Sequence, residues 1–325
     1  MVWAGEGVDQ FHRDQQEAVR LAGLSGQPSL KLDAALLLLE ERWGSGQLAL
    51  MRSEGERLLA LALESGEPAR AAVINARLAG CAVFLGDGEG YERYATAAAE
   101  LSAQFGTSEP AWLQHARAHR LHFLGRVDDA AAAYGRILER ADEVGDVQRV
   151  IAALRGLADG LVEQERYAEL EELVPRALEL SVQTGERWSR AELLGMRAIG
   201  AAHRGDPAEA ERAGAEALTQ VREGDTTGLA ETELAIGMVR ALAGRHEEAD
   251  GHFRRGIGII RGTEYTALLP RYLAASAELQ LVRGRAAEAN ALLDEAEAIN
   301  LRTGYDVAGG QLRRVRQTVA ARVPG

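Results

Sequence analysis

Residues 242–253 read LAGRHEEADGHF, and residues 282–293 read VRGRAAEANALL. Two earlier stretches share the pattern, FLGRVDDAAAAY at 123–134 and HRGDPAEAERAG at 203–214. In each, an alanine follows a glycine by five residues: Gly125/Ala130, Gly205/Ala210, Gly244/Ala249 and Gly284/Ala289. QERYAELEEL at 164–173 keeps the register with Glu165 in the place of the glycine and Leu170 in that of the alanine. Gly86 and Gly46 extend it backwards. The anchors 46, 86, 125, 165, 205, 244 and 284 therefore stand 39 or 40 residues apart. Self-similarity at one period of this length is the signature of a solenoid array.

A second glycine series runs out of phase with the first: Gly26, Gly66, Gly106, Gly145, Gly185, Gly224, Gly262 and Gly304. Glycine just past a helical stretch reaches positive φ without a Cβ penalty, so it is the usual left-handed stop. The unit is thus helix A, a tight turn at the anchor, helix B and a glycine stop. Seven such hairpins fill residues 27–304. Residues 8–25 then read as a helix B without its helix A, and 306–322 as a helix A without its helix B. These half-repeats are either caps or the margins of a window in a longer repeat protein, because solenoids need atypical terminal units. The expected architecture is an all-α, right-handed α-solenoid forming a single domain over 1–325.

Three columns test the register. Eight places into each repeat, counting the anchor as fifteen, stand Leu39, Ala79, Ala118, Ala158, Ala198, Gly237 and Ala277. Position 20 reads Met51, Tyr91, Ala130, Leu170, Ala210, Ala249 and Ala289, and position 27 reads Leu58, Ala98, Ile137, Ala177, Ala217, Gly256 and Ala296. Small side chains in such columns let adjacent helices approach closely. With these residues in place the chain resembles the tetratricopeptide-repeat (TPR) family along nearly its whole length, with repeats longer than that family's usual unit. Repeat 1 departs at Leu39 and Met51. HEAT repeats have a similar period, but the Gly-x-x-x-x-Ala turn and the small position 8 argue against them.

Composition narrows the function. The chain of 325 residues carries a net charge of −12, with no basic cluster dense enough for nucleic acid. Lys31 is the only lysine among 37 basic residues, which reads as the codon usage of a GC-rich bacterial genome. Cys81 is the sole cysteine, so no intrachain disulfide can form and a reducing compartment is expected. The N-terminal MVWAGEGVDQFHRDQQ lacks signal-peptide regions, and no uninterrupted apolar stretch of membrane length is evident. A cytoplasmic protein with no membrane contact is the expectation.

Candidate binding residues come from one histidine stripe. His115, His119 and His122, at i, i+4 and i+7 in QHARAHRLHF, share one helical face. The family resemblance implies that positions 2, 5, 9, 12 and 13 of helix A line the concave, ligand-binding surface. In repeat 3 these are Trp112, His115, His119, His122 and Phe123. Neighbouring repeats supply Trp43 and Phe84, then Arg155 and Asp159, then Ile199 and His203, and then Leu234, Met238 and Leu242. Three readings of the stripe stand open: a solvated helix face, a ligand pocket, or a metal site with Asp159 as a further ligand. No HExxH and no cysteine-rich pair accompanies it. GDGEG at 86–90 has no following lysine and so is no phosphate loop, and no nucleophile–base pair is evident. Catalytic residues, metal ligands and cofactors are accordingly expected to be none.

Long Ala- and Arg-rich repeats with GR-x-x-E-A turns are similar to the sensor region of LuxR-class ATP-dependent transcriptional activators of the maltose-regulator type. No Walker A lysine and no basic helix-turn-helix accompany them here. The resemblance implies a non-catalytic module that senses a small molecule or peptide for a bacterial transcriptional regulator. A stand-alone protein-interaction scaffold is the alternative, and a metal-dependent enzyme built on the histidine stripe a more distant one.

Overall fold

The computed structural model describes residues 8–322, and every regular element among them is helical. Seven hairpins succeed one another at the sequence period: α2 (Pro28–Gly44) with α3 (Leu48–Glu64), α4 (Pro68–Leu85) with α5 (Gly88–Gln104), and α6 (Ala111–Phe123) with α7 (Val127–Val144). There follow α8 (Val147–Glu163) with α9 (Tyr167–Thr184), α10 (Arg190–His203) with α11 (Pro207–Gln220), α12 (Thr226–Leu242) with α13 (His246–Arg261), and α14 (Leu269–Val282) with α15 (Ala286–Thr303). The expected half-repeats are α1 (Val8–Ser25) and α16 (Gly309–Arg322). Aspartates cap several helix starts: Asp87, Asp146, Asp206 and Asp225 each accept a hydrogen bond from the backbone N–H three residues on.

Two positions show how strictly the turn geometry is imposed. The anchor turns need a left-handed residue, and Glu165, in the glycine's place, adopts φ of 57°. An L-residue there costs about 1–2 kcal/mol, so the fold overrides the local preference of the side chain. The other glycine series has one exception. Gly262, expected as a left-handed stop, takes φ of −79°. The chain instead runs through a single 3-10 turn, Thr266–Leu268, into α14, with Tyr265 buried beneath it. The local spacing in the series is irregular at the same point.

The chain divides into two compact units, Met1–Arg117 and Ala118–Gly325. In the first, α4 is the central helix. By length and a mean hydropathy of 1.2 over 18 residues it could cross a membrane, but Arg70, Asn75 and Arg77 interrupt it and 67% of it is buried within the protein, as in a core helix. Its Ala71, Ile74, Leu78 and Ala82 are core residues, as expected of the inner helix of a packed hairpin.

In the second unit the small-residue columns are buried as the register requires: Ala118, Ala158, Ala198 and Ala277 at position 8, and Ala177, Ala217 and Ala296 at position 27. In the first unit Leu58 at position 27 is only half-buried, which agrees with the weaker motif of repeat 1. Where the column holds glycine, an aromatic ring uses the space. A Cβ on Gly237 would lie 2.5 Å from the Phe253 ring, and one on Gly256 would lie 3.2 Å from the Tyr272 ring. Each glycine is the seat of a buried ring, and alanine could not take its place without moving that ring. α16 covers the last hairpin with Leu312, Val315 and Val319.

The second unit also closes on itself. The Asp306 N–H donates to the Phe123 carbonyl at 2.8 Å, and the Tyr305 ring meets Phe123 at 5.7 Å between centroids. The segment before α16 thereby returns to the end of α6, and five hairpins complete a loop.

Candidate functional site

Closure of the second unit leaves a cavity of about 390 Å³ between α8, α10, α12, α14 and α16. Its walls are apolar: Met196, Ile199, Leu234, Met238, Leu279 and Val282 face it. At its rim Arg314 of α16 pairs with Glu165 of the strained turn, and His203 stacks on Tyr167, 3.5 Å apart and nearly parallel at 10°.

The floor is ionic. Arg155 donates to Glu192 at 2.8 Å and lies 3.9 Å from Asp159, while Arg271 reaches Asp159 at 3.4 Å and Glu231 at 3.0 Å. His122 Nε2 stands 2.7 Å from a Glu163 oxygen. Burial pushes the Glu192 carboxyl up to about 7, against the pull of Arg155, and the negative charges of Glu231 and Asp159 add to the rise. Burial likewise raises Glu231. Burial also acts upward on Asp159, but Arg271 and Arg155 outweigh it and hold that carboxyl below the usual range. The three carboxylates thus sit in one recess with their proton affinities pulled apart, the pattern associated with functional pockets. Burial lowers the His203 imidazole and keeps it neutral near pH 7.

The residues singled out from sequence separate into two groups. His122, Phe123, Asp159 and His203 face the cavity, with Arg155 joined to them through Asp159 and Glu192. His119 instead turns its ring to Tyr134 and Phe123, at 5.7 and 6.4 Å. His115 and Trp112 belong to the first unit with Trp43 and Phe84. There Trp43 packs edge-on against both Phe84 (4.8 Å) and Trp112 (5.5 Å), and the Arg77 guanidinium lies 3.9 Å over Trp112 while pairing with Glu40. Arg155 and Asp159, four residues apart on α8, lie 3.9 Å from one another, but the closer partner of Arg155 is Glu192, and Asp159 also takes Arg271, a residue 112 positions away. Among the described residues no group of three His, Cys, Asp or Glu side chains is arranged to hold a metal ion.

Glu192, Glu231 and Arg271 were not selected from sequence, although all three occupy position 2 of helix A in repeats 5, 6 and 7, the column that holds Trp112 in repeat 3. A charged residue recurring at one inner position of an Ala-rich array was the available signal. A second cleft of about 470 Å³ opens between α7, α8 and α9, lined largely by Ala, Leu and Gly side chains. It lacks a convergent set of buried charges, so the inner cavity is the better candidate site.

No family model matches the chain, and no curated protein matches its sequence. Among solved structures the fold is similar to that of a Rap protein complexed with competence and sporulation factor. That match has a TM-score of 0.68 at 12% identity and covers 91% of this chain and 79% of the other. The apo form of RapI gives a TM-score of 0.51 at 11% identity, covering 90% of this chain and 87% of that one. At such identities the likeness is one of fold: the chain is a TPR-like helical-repeat protein.

Proposed function

We propose that the protein is a non-catalytic binding module that holds a small molecule or short peptide in the inner cavity of its second unit, as the ligand-sensing region of a bacterial transcriptional regulator. The observation that carries this reading is the closure of residues 118–325 around an apolar-walled cavity with an ionic floor. A scaffold that only grips a partner along a groove has no need of charged side chains gathered in one recess. Cavities of a few hundred Å³ with few convergent polar groups are the usual form of ligand sites. The cavity-facing residues sit on eight separate helices, so an occupant would tie early and late repeats together, which is how binding could be transmitted along an array in which each repeat otherwise touches its neighbours. A Rap protein of similar fold is complexed with competence and sporulation factor, which supports ligand capture as a use of this architecture.

The test is retention. The purified chain is mixed with a random hexapeptide pool and a small-metabolite extract, separated by size exclusion, and the retained molecules are read by mass spectrometry. Met238→Trp fills the cavity and serves as the control. Retention by the native chain and its loss in Met238→Trp are expected. Equal retention by both proteins, or none by the native one, overturns the reading.

A further inference from the structure

Charge balance in the cavity says what kind of occupant it fits. Six carboxylates face it against two arginines, Arg271 and Arg314. Two of the six lie apart from the three-carboxylate recess: Glu165 pairs with Arg314, and Glu163 lies 2.7 Å from His122 Nε2. Glu278, at the edge, accepts from Gln311 at 2.7 Å. The recess itself holds Asp159, Glu192 and Glu231, whose side chains are only 17, 14 and 13% exposed. They share two guanidinium groups, those of Arg155 and Arg271, and each guanidinium is divided between two carboxylates. Three negative charges against two positive ones leave one carboxylate without a countercharge of its own.

An uncompensated buried charge is expensive, and proteins relieve it by neutralisation or by pairing. A proton can serve, and the raised proton affinity of Glu192 agrees with that. A ligand cation would serve better, because it brings the missing charge and displaces the proton. The walls above the floor set the rest of the molecule. Met196, Leu234, Met238 and Leu279 form an apolar sleeve, and methionine side chains adapt to varied aliphatic shapes. An anion of the same size would face the surplus negative charge, and a fully hydrated metal ion would leave the sleeve unfilled.

We infer that the occupant of the inner cavity is an organic cation, a guanidinium or ammonium group on an aliphatic stem such as an arginine or lysine side chain, seated on Glu192, Glu231 and Asp159. The inference rests on the ligand-binding reading above and adds the chemical class. Its distinguishing experiment uses defined probes. Thermal unfolding of the full chain is measured near pH 8 with hexylguanidinium, hexanoate, hexanol and magnesium chloride, each at the same millimolar concentration. Hexylguanidinium should raise Tm by several degrees while the other three leave it within a degree, and the gain should vanish in Glu192→Gln/Glu231→Gln. If that double variant loses its helical circular dichroism, Met238→Trp replaces it as the control. Equal stabilisation by hexanol, hexanoate or magnesium overturns the cation, as does the absence of any stabilisation by hexylguanidinium. Peptides retained from the random pool should be enriched in arginine or lysine. Retention without that enrichment sinks this inference and leaves ligand binding standing, whereas failure of both the pool and the probes sinks both.

Discussion

Replacing Glu192 with glutamine should stabilise the protein near pH 8 and leave it almost unchanged near pH 5. The folded carboxyl is pushed up to about 7 from an ordinary 4.5, so the folded chain holds the proton more tightly than the unfolded chain does. A carboxyl raised on folding costs nothing below its unfolded value, costs progressively more as pH climbs between the two values, and reaches its full cost above the folded one. At 1.36 kcal/mol per pH unit, a rise of this size sets a ceiling of about 3 kcal/mol. Glutamine is close in shape to the protonated carboxyl, and its oxygen can still accept from Arg155, which stands 2.8 Å from Glu192. Arg155 also keeps Asp159 at 3.9 Å, so no lone cation is left behind and the floor moves from one surplus negative charge to none. Because Asp159 and Glu231 relax as well and a charge-assisted hydrogen bond is weakened, the expected gain is about 1–2 kcal/mol. Urea unfolding of the full chain, followed by far-ultraviolet circular dichroism at the two pH values, reads it as a higher midpoint near pH 8 only. A loss of more than about 1 kcal/mol near pH 8 would refute the reasoning, since it would make the Arg155–Glu192 pair a net stabilising one. So would a gain that does not depend on pH.

Further outcomes follow from other features. Gly237→Leu should cost at least about 1–3 kcal/mol by forcing Phe253 out of its seat, and a smaller loss is expected for Ala198→Leu, which overfills the same column without displacing a ring; thermal melts showing both unchanged would place the register elsewhere. Glu165→Gly relieves a left-handed residue at φ of 57° but removes the partner of Arg314, so backbone relief of about 1 kcal/mol should exceed the loss of an exposed ion pair and raise Tm slightly. Binding of hexylguanidinium should tighten by up to about tenfold between pH 6 and pH 8 as Glu192 gives up its proton, which titration calorimetry at both pH values would measure; tighter binding at pH 6 would contradict the assigned seat.

The repeat was legible because it is a short-range property. A turn that needs φ near +70° selects glycine, a seam that needs close approach selects alanine, and both recur wherever the same hairpin recurs. Glu165 shows the strength of that logic: its place in the series assigned it a glycine's conformation against its own preference, and the structure has it there. Gly262 shows the limit, because a glycine in series need not be used when the following segment, with Tyr265 and a 3-10 turn, takes another path. The site was legible in part. Periodicity carries which face of helix A turns inward, and it brought Asp159, His122, Phe123 and His203 to the cavity. It does not carry which inward residues meet across the unit. Arg271 reaches Asp159 only because four hairpins curve far enough for the late repeats to return to the earlier ones, and that curvature sums small rotations that no single repeat reveals.

Several departures from the repeat stand at the candidate site, although the Gly262–Tyr265 turn does not. A repeat written only in glycine, alanine and leucine builds a shell whose inner face is featureless, so recognition has to be installed by exceptions. Arg155, Asp159, Glu192, Glu231 and Arg271 place charge on inner positions where an array needs none for packing, at a desolvation cost visible in the raised Glu192 and Glu231 carboxyls. Glu165 holds a turn that glycine would hold with less strain, and it holds Arg314 at the rim. The Tyr305–Asp306 segment leaves the helical pattern where it fastens onto Phe123. None of these features improves the solenoid as a solenoid. Asp159, Glu165, Glu192, Glu231, Arg271 and Arg314 face one cavity, and Arg155 joins them through Glu192. On the proposed reading, a floor with one more carboxylate than it has guanidinium groups is matched by an occupant that supplies the opposite charge.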